Sequence, residues 1–183
     1  MVVDSKINGK GVFTTKDIKK GEVLLIWGGT KVAKKKVDFY KFNDQTLVPI
    51  DDDVYIGLLA NDTYKCVDEY LNHSCDSNTW LDDEVSVSAR RDIKTGEEIT
   101  LDHALWDADP DWEYLECEED QSCTCGSQLC RGVLTHNDWM LPNVQKRYKG
   151  HFSPYTQKKI EGLKNLRKSM KYNLTWTRRI DSN

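Results

Sequence analysis

The chain has 183 residues, of which 38% are hydrophobic and 31% are charged, with a formal net charge of −4. This length and composition are typical of one globular domain, or of one domain with a small appendage, that can bury a hydrophobic core. No apolar run approaches the roughly 20 residues of a membrane helix, and the N-terminus lacks the pattern of a secretory signal, so we expect an intracellular protein, cytoplasmic or nuclear, with no membrane partner.

The charge is unevenly distributed along the chain. Residues 141–183 carry eleven Lys and Arg side chains against two acidic ones, whereas residues 1–140 carry 15 basic and 28 acidic side chains. An acidic body would attract a basic peptide and repel nucleic acid, while a basic tail could contact nucleic acid or fold back onto the acidic body. For any single charge run, a solvated surface is the simpler interpretation.

Two similar hexamers predict two similar turns. Residues 17–22 read DIKKGE and residues 92–97 read DIKTGE, and each lies beside apolar or alternating residues typical of strands. The two turns are too far apart, and their surroundings too different, for a repeat array. Between them, residues 48–50 and 54–56 predict two short strands around an Asp-rich turn.

A helical tail is predicted beyond residue 150. Ser153 and Pro154 form a good N-cap and first-turn pair. Apolar residues follow at helical spacing, and we expect this stripe to pack on the body: Tyr155, Ile160, Leu163, Leu166 and Met170. The predicted fold class is therefore mainly β, with many short strands followed by a helical tail.

The most polar stretch is residues 72–78, which read NHSCDSN. A run with no hydrophobic residue directly after Tyr70 and Leu71 is unsuited to the interior of a strand or helix. We interpret it as an ordered loop with functional side chains, the alternative being a surface loop rich in turn-forming residues.

A cysteine cluster predicts a metal site. The motif C-x-C-x₄-C supplies three thiols, and six cysteines without a secretory signal favour a reducing compartment, where clustered thiols are more often metal ligands than disulfides. Structural zinc takes four tetrahedral ligands, so a fourth is needed. The candidates are Cys75, Cys66 and Cys117, of which we favour Cys75 because it lies in the polar loop. Two disulfides or free core thiols are the alternative.

Four motifs in this order resemble the SET-domain family of S-adenosylmethionine-dependent protein lysine methyltransferases. They are residues 9–13 (GKGVF), 72–75 (NHSC), 96–102 (GEEITLD) and the cysteine cluster with the Arg-Gly pair after it. The similarity covers about residues 5–135. It implies the β-clip SET fold of a small stand-alone SET protein, with a SET domain at 1–116, a zinc-binding post-SET segment at 117–135 and a helical C-terminal tail at 136–183.

The resemblance also implies roles for individual residues. The cofactor S-adenosylmethionine would contact Lys10, Gly11, Val12, Asn72 and His73, with Leu129 in a lid formed by the post-SET segment. A substrate channel would be lined by Tyr70 and Trp106. A structural Zn²⁺ ion would be held by Cys75, Cys123, Cys125 and Cys130.

One residue departs from the family pattern. The Asp of the GEEITLD segment is usually followed by a tyrosine that orients the amine, and here the following residue is His103. Methyl transfer needs an aligned, neutral nucleophile, and an imidazole can hydrogen-bond an amine or accept its proton near neutral pH. His103 is therefore the candidate catalytic residue.

Three interpretations of His103 remain open. The chain methylates a lysine amine with His103 as a working substitute, or it methylates a small molecule, or it binds the cofactor without turnover as an interaction module. For the first, the expected partner is a basic protein or peptide, perhaps histone-like in charge, and nucleic acid is not expected as the direct substrate.

Overall fold

The computed structural model describes residues 1–36, 47–59, 67–109 and 122–180, with side chains described as far as residue 169. Within these ranges the chain forms nine short strands and two α-helices. The strands are β1 (Val2–Asp4), β2 (Lys10–Phe13), β3 (Val23–Ile26), β4 (Thr30–Ala33), β5 (Val48–Asp51), β6 (Val54–Gly57), β7 (Thr79–Leu81), β8 (Ser86–Ala89) and β9 (Glu98–Ile99); the helices are α1 (Pro142–Arg147) and α2 (Pro154–Ile180).

The strands form three small antiparallel sheets, with the orders β1-β2-β9, β3-β8-β7 and β4-β6-β5. The two strands predicted around the Asp-rich turn are β5 and β6, which pair with Val48 opposite Ile56. The prediction of a mainly β fold of short strands is confirmed. Four 3₁₀ turns complete the described elements: Lys34–Lys36, Val67–Tyr70, His103–Leu105 and Asp138–Met140.

The two DIK-x-GE hexamers pair with each other. Ile18 and Ile93 exchange two backbone hydrogen bonds, each of 2.9 Å, and both side chains are buried. In each hexamer the glycine adopts positive φ, +85° at Gly21 and +82° at Gly96, which a residue with a side chain rarely tolerates. The sequence similarity therefore reflects two equivalent turns that meet across a local two-fold arrangement.

The aspartate of each hexamer caps the turn of the other. The Asp17 carboxylate accepts a hydrogen bond of 3.0 Å from the backbone N–H of Thr95. The Asp92 carboxylate accepts one of 3.0 Å from the backbone N–H of Lys20. These reciprocal contacts hold two segments that are more than 70 residues apart in sequence, as the separations of 78 and 72 indicate.

The helical tail packs on the strands through its first turns only. Ser153 caps α2 by accepting a hydrogen bond from the backbone N–H of Thr156, as predicted. Tyr155 and Ile160 are buried in the main core, but Leu166 is 58% exposed, so the expectation that the whole apolar stripe packs on the body is wrong. The helix extends past the edge of the core, and every residue from 164 to 169 is exposed.

The hydrophobic core has two parts. A small cluster lies between the sheet of β2 and the paired turns, and its members are Val12, Ile18, Ala89, Ile93 and Ile99. The main cluster joins strands to the tail, and its fully buried members include Leu81, Val87, Leu105, Val144, Tyr148 and Ile160. Among the described residues, no helix is long and apolar enough to cross a membrane.

We expect the replacements Asp17→Ala and Asp92→Ala to lower the melting temperature by similar amounts, because each removes an equivalent cap from the opposite turn. Thermal unfolding followed by circular dichroism measures this effect. The matched control is Glu84→Ala, which removes an exposed acid that makes no hydrogen bond or ion pair in the structure. Unequal losses, or losses no greater than that of the control, would contradict reciprocal capping.

Candidate functional site

The polar loop at residues 72–78 lies directly against the chain that follows β9. His73 and Leu101 form a parallel bridge. The backbone N–H of Leu101 donates to the carbonyl of Asn72 at 3.1 Å, and the N–H of Ser74 donates to the carbonyl of Leu101 at 3.2 Å. The NHSC and GEEITLD motifs, which are separate in sequence, are thereby joined through their backbones.

Most of this loop is buried despite its polarity. The Asn78 side chain donates to the carbonyl of Glu98 at 2.8 Å and accepts from the N–H of Thr100 at 2.9 Å. The Ser77 hydroxyl donates to the carbonyl of Thr79 at 2.8 Å. Buried polar groups need such partners, and this loop supplies them internally. The interpretation as an ordered loop is confirmed, and a simple surface turn is excluded.

The four favoured cysteines come together as a cluster. The sulfur atoms of Cys75, Cys123, Cys125 and Cys130 all lie within 4.8 Å of one another, and all four residues are free thiols. The Cys75 and Cys123 sulfurs are 3.7 Å apart. A tetrahedral zinc site with Zn–S bonds of about 2.3 Å has sulfur–sulfur edges of roughly 3.8 Å, so the cluster fits a zinc ion. The alternative ligands Cys66 and Cys117 lie outside the described residues.

Arg131, which follows the last cysteine, forms a buried ion cluster with two acids. Its guanidinium donates two hydrogen bonds of 2.8 Å to the Asp102 carboxylate, and its Nε donates one of 2.5 Å to Asp138. Burial alone would raise the pKa of Asp102, but the bonds to Arg131 hold that pKa below its usual value. The cluster thus fastens the cysteine segment to the end of the strand region and to the tail.

The candidate cofactor residues meet around β2. The Asn72 amide donates to the carbonyl of Lys10 at 3.0 Å and to the Glu98 carboxylate at 2.7 Å. A Cβ atom at Gly11 would collide with that carboxylate, so glycine is required there by packing. Val12 is buried beside β9 in this same sheet. The sequence did not indicate Glu98, because nothing in a local pattern says that its side chain lies over Gly11.

Leu129, the candidate lid residue, lies in the turn between the second and third cysteines of the cluster motif. Its side chain is 48% exposed. An exposed leucine beside the cysteine cluster can cover a bound molecule without first leaving a packed core. Its role as a lid stays a prediction.

His103 stands where the loop, the strand end and an aromatic wall meet. It begins the 3₁₀ turn that Asp102 caps through the N–H of Ala104 at 3.1 Å. Its half-buried ring contacts the His73 ring edge-on at 4.8 Å between centroids and the Trp106 ring at 5.6 Å. The structure therefore brings two of the predicted site residues, His73 and Trp106, to His103.

The other candidate channel residue, Tyr70, has a different position. It is half-buried and packs against the smaller hydrophobic cluster beside β2. Trp106, by contrast, packs edge-on against Trp27 at 6.1 Å in addition to its contact with His103. Both side chains thus contribute to packing, and lining a substrate channel stays a prediction for each.

Burial keeps His73 neutral. Burial is the main cause that lowers the pKa of its imidazole, to about 3, and the nearby His103 lowers it further. A neutral ring beside His103 adds no positive charge to the site at physiological pH. A cationic alkylammonium group approaching His103 is therefore not repelled by its immediate neighbour.

The described part of the acidic run is structural. Asp107 pairs with the buried His136 at 2.9 Å. Asp109 is 1% exposed, and it accepts hydrogen bonds from Lys34 at 2.7 Å and from Tyr55 at 2.5 Å. These two acids have partners inside the fold, so they do not form part of a surface for a basic peptide.

Comparison with known proteins now decides the family. The SET domain pattern matches residues 9–104, which is more than half of the chain and includes the loop, β9 and His103. The chain belongs to the SET-domain family. The resemblance deduced from the four motifs is thereby confirmed. SET methyltransferases use S-adenosylmethionine as their cofactor.

Curated relatives share this region of the SET protein. The chain is 28% identical over 140 residues to "Histone-lysine N-methyltransferase ASHH3" of Arabidopsis thaliana, 27% identical over 146 residues to "Histone-lysine N-methyltransferase trithorax" of Drosophila virilis, and 26% identical over 144 residues to "Histone-lysine N-methyltransferase, H3 lysine-4 specific" of Schizosaccharomyces pombe. These alignments cover 69%, 73% and 71% of the chain but only 35%, 4% and 14% of the respective relatives. The SET protein therefore spans a minor part of each relative.

We expect purified protein to hold one zinc ion per chain, and Cys75→Ser to lose it, because three thiolates leave an open site of much lower affinity. Elemental analysis after dialysis against a chelator measures the metal content. Cys66→Ser and Cys117→Ser are the matched controls and should keep the ion. Loss of zinc in either control together with retention in Cys75→Ser would identify a different fourth ligand.

We expect Arg131→Met to lower the free energy of unfolding by about 3–5 kcal/mol, because it leaves two buried carboxylates without their cation. Urea unfolding of zinc-loaded protein measures the loss. Arg131→Lys should recover only part of it, since an ammonium cannot bridge both acids in the same geometry. A loss below about 1 kcal/mol for Arg131→Met would mean that the ion cluster contributes little to folding.

Proposed function

We propose that this SET protein transfers a methyl group from S-adenosylmethionine to a lysine side-chain amine of a basic protein. The observation that carries the proposal is the direct pairing of the NHSC loop with the segment ending at His103, inside the region that matches the SET domain. All three relatives described above are named histone-lysine N-methyltransferases. Because the chain spans a minor part of each of them, activity and substrate are proposed for this chain and not transferred to it.

The residues around β2 and the loop are proposed to bind the cofactor. The cofactor supplies an electrophilic methyl group on a sulfonium. Asn72 keeps its side-chain oxygen for a polar group, since its amide nitrogen is already bonded to Lys10 and Glu98. The Glu98 carboxylate, also hydrogen-bonded by Ser5 at 2.8 Å, offers a fixed acceptor for a cationic amine. Leu129 is proposed to cover this side of the site.

His103 is proposed to hold and deprotonate the incoming amine. A lysine ammonium must lose its proton before its nitrogen can attack, and an imidazole is well suited to receive it near neutral pH. Trp106 beside His103 offers an aromatic face that attracts an alkylammonium. Tyr70 is proposed to complete the channel wall. The imidazole is shorter than the usual tyrosine, so the channel end has more room.

The proposed partner is a basic protein or peptide, with histone tails as the obvious class to test. The charge of residues 1–140, which hold 28 acids and 15 basic side chains, supports a basic partner over nucleic acid as the direct substrate. We also propose an intracellular location, cytoplasmic or nuclear, in keeping with the names of the relatives. Domain limits at residues 116 and 135 remain proposals.

We expect the parent protein to transfer labelled methyl from the cofactor to at least one peptide in a panel of lysine-containing basic peptides. His103→Ala should lower kcat by about 100-fold or more, because general acid–base catalysis typically contributes that much. Scintillation counting of the peptide, with mass spectrometry to locate the methyl group, provides the measurement. Matched peptides with arginine in place of lysine should remain unlabelled.

Three variants separate the possible outcomes. His103→Tyr restores the usual residue of the family, and His151→Asn is the control, since His151 stacks on Trp80 away from His103. Silence in the parent with activity in His103→Tyr would contradict His103 as a working substitute. Silence in both, with the cofactor bound, would favour a binding module or a small-molecule acceptor over lysine methylation.

A further inference from the structure

The hydrogen bonds of His73 define which of its ring nitrogens carries the proton. The backbone N–H of His103 points at His73 Nδ1 from 3.3 Å. A backbone N–H can only donate, so Nδ1 must be the acceptor and a neutral ring carries its proton on Nε2. His73 Nε2 lies 3.3 Å from the sulfur of Cys75. The proton on Nε2 is therefore directed at a sulfur of the cysteine cluster.

Cys75 receives a second hydrogen bond that leads back to the same place. The backbone N–H of Arg131 donates to the Cys75 sulfur at 3.3 Å. The Arg131 side chain grips Asp102, the residue before His103, with two bonds of 2.8 Å. A closed ring of contacts thus runs from His103 through His73 to Cys75, and returns through Arg131 and Asp102.

We infer that His73 is a positioning residue that couples the cysteine-bound metal to the backbone of His103, by donating Nε2–H to the Cys75 sulfur while accepting the N–H of His103. A metal-bound cysteine is a thiolate, which can only accept, so this donor fits the loaded site. Side chains that hydrogen-bond a metal ligand fix its orientation and raise metal affinity. The metal in turn fixes the imidazole, and the imidazole fixes the start of the His103 turn.

The geometry gives this coupling a direction that packing alone would not. His73 is 92% buried, as its exposure of 8% implies, so its ring has little freedom to exchange one partner for water. The ring has two polar atoms and both are used, one on each side of the coupling. A hydrophobic side chain of similar size could fill the same space but would leave the Cys75 sulfur and the His103 N–H without these partners. The inference depends on the metal site and not on methyl transfer, so it can be tested without turnover.

The first test reads the hydrogen bonds directly by NMR. Nitrogen-labelled protein loaded with an NMR-active cadmium isotope should give a His73 ring spectrum of the Nε2–H tautomer, with a scalar coupling between the metal and Hε2 across the sulfur. The coupling from the metal to the Arg131 amide, which also donates to Cys75, serves as an internal reference. An Nδ1–H tautomer, or a coupling to Arg131 with none to His73, would overturn the inference.

The second test compares two replacements of His73. His73→Gln keeps an N–H donor and an acceptor oxygen, whereas His73→Leu fills the space without either. We expect His73→Leu to weaken Zn²⁺ binding by roughly 10–100-fold in chelator competition, and His73→Gln to recover most of that affinity. The amide resonance of His103 should shift on metal removal in the parent and in His73→Gln, and shift less in His73→Leu.

Each result of the second test decides the matter. Equal affinity of both variants with the parent would mean that His73 does not support the metal, and equal weakening of both would mean a packing role only. The Arg131 coupling in the cadmium-loaded variants verifies that the cluster is still folded. Lack of methyl transfer in any of these proteins leaves the readout unchanged, so a failure of the proposed activity and a failure of the coupling are told apart.

Discussion

The buried contact between Arg131 and Asp102 holds together three parts of the chain. Arg131 belongs to the cysteine segment, Asp102 ends the strand region, and Asp138, the second acid on Arg131, opens the tail. A guanidinium is the side chain that can satisfy two carboxylates at once in a fixed plane. Because removing water from such charges is costly, the contact is stable only when all three segments are in place. The position of the cysteine cluster over the loop depends on that cooperation.

His103 shows how a substitution can fit its surroundings while changing the chemistry. Its ring lies between a neutral imidazole and an indole, at 4.8 and 5.6 Å between ring centroids. Neither neighbour carries charge at physiological pH, since burial keeps His73 deprotonated. The environment therefore resembles what an aromatic hydroxyl would also accept. What differs is the capacity of an imidazole to take a proton, which a phenol lacks near neutral pH.

Charge in this SET protein serves the interior as much as the surface. The acids Asp102, Asp107, Asp109 and Asp138 each pair with a basic side chain and are largely buried. A count of acids along the sequence thus overstates the negative surface available to a basic partner. The basic tail behaves differently. Beyond Leu163 the described part of α2 projects from the body, and its basic residues 164, 167 and 168 face water instead of the acidic body.

The sequence by itself determined the family, the cysteine ligands and the class of the fold. Four local motifs in a fixed order carry that information, because thiol spacing, a polar loop and turn glycines are constraints of short range. Only the tertiary structure decided that the two DIK-x-GE turns cap each other, that Glu98 lies over Gly11, and that Leu166 leaves the core. It also decided that His73 faces both Cys75 and His103. These contacts join residues far apart in the chain, and no local pattern specifies which distant partner a side chain will meet.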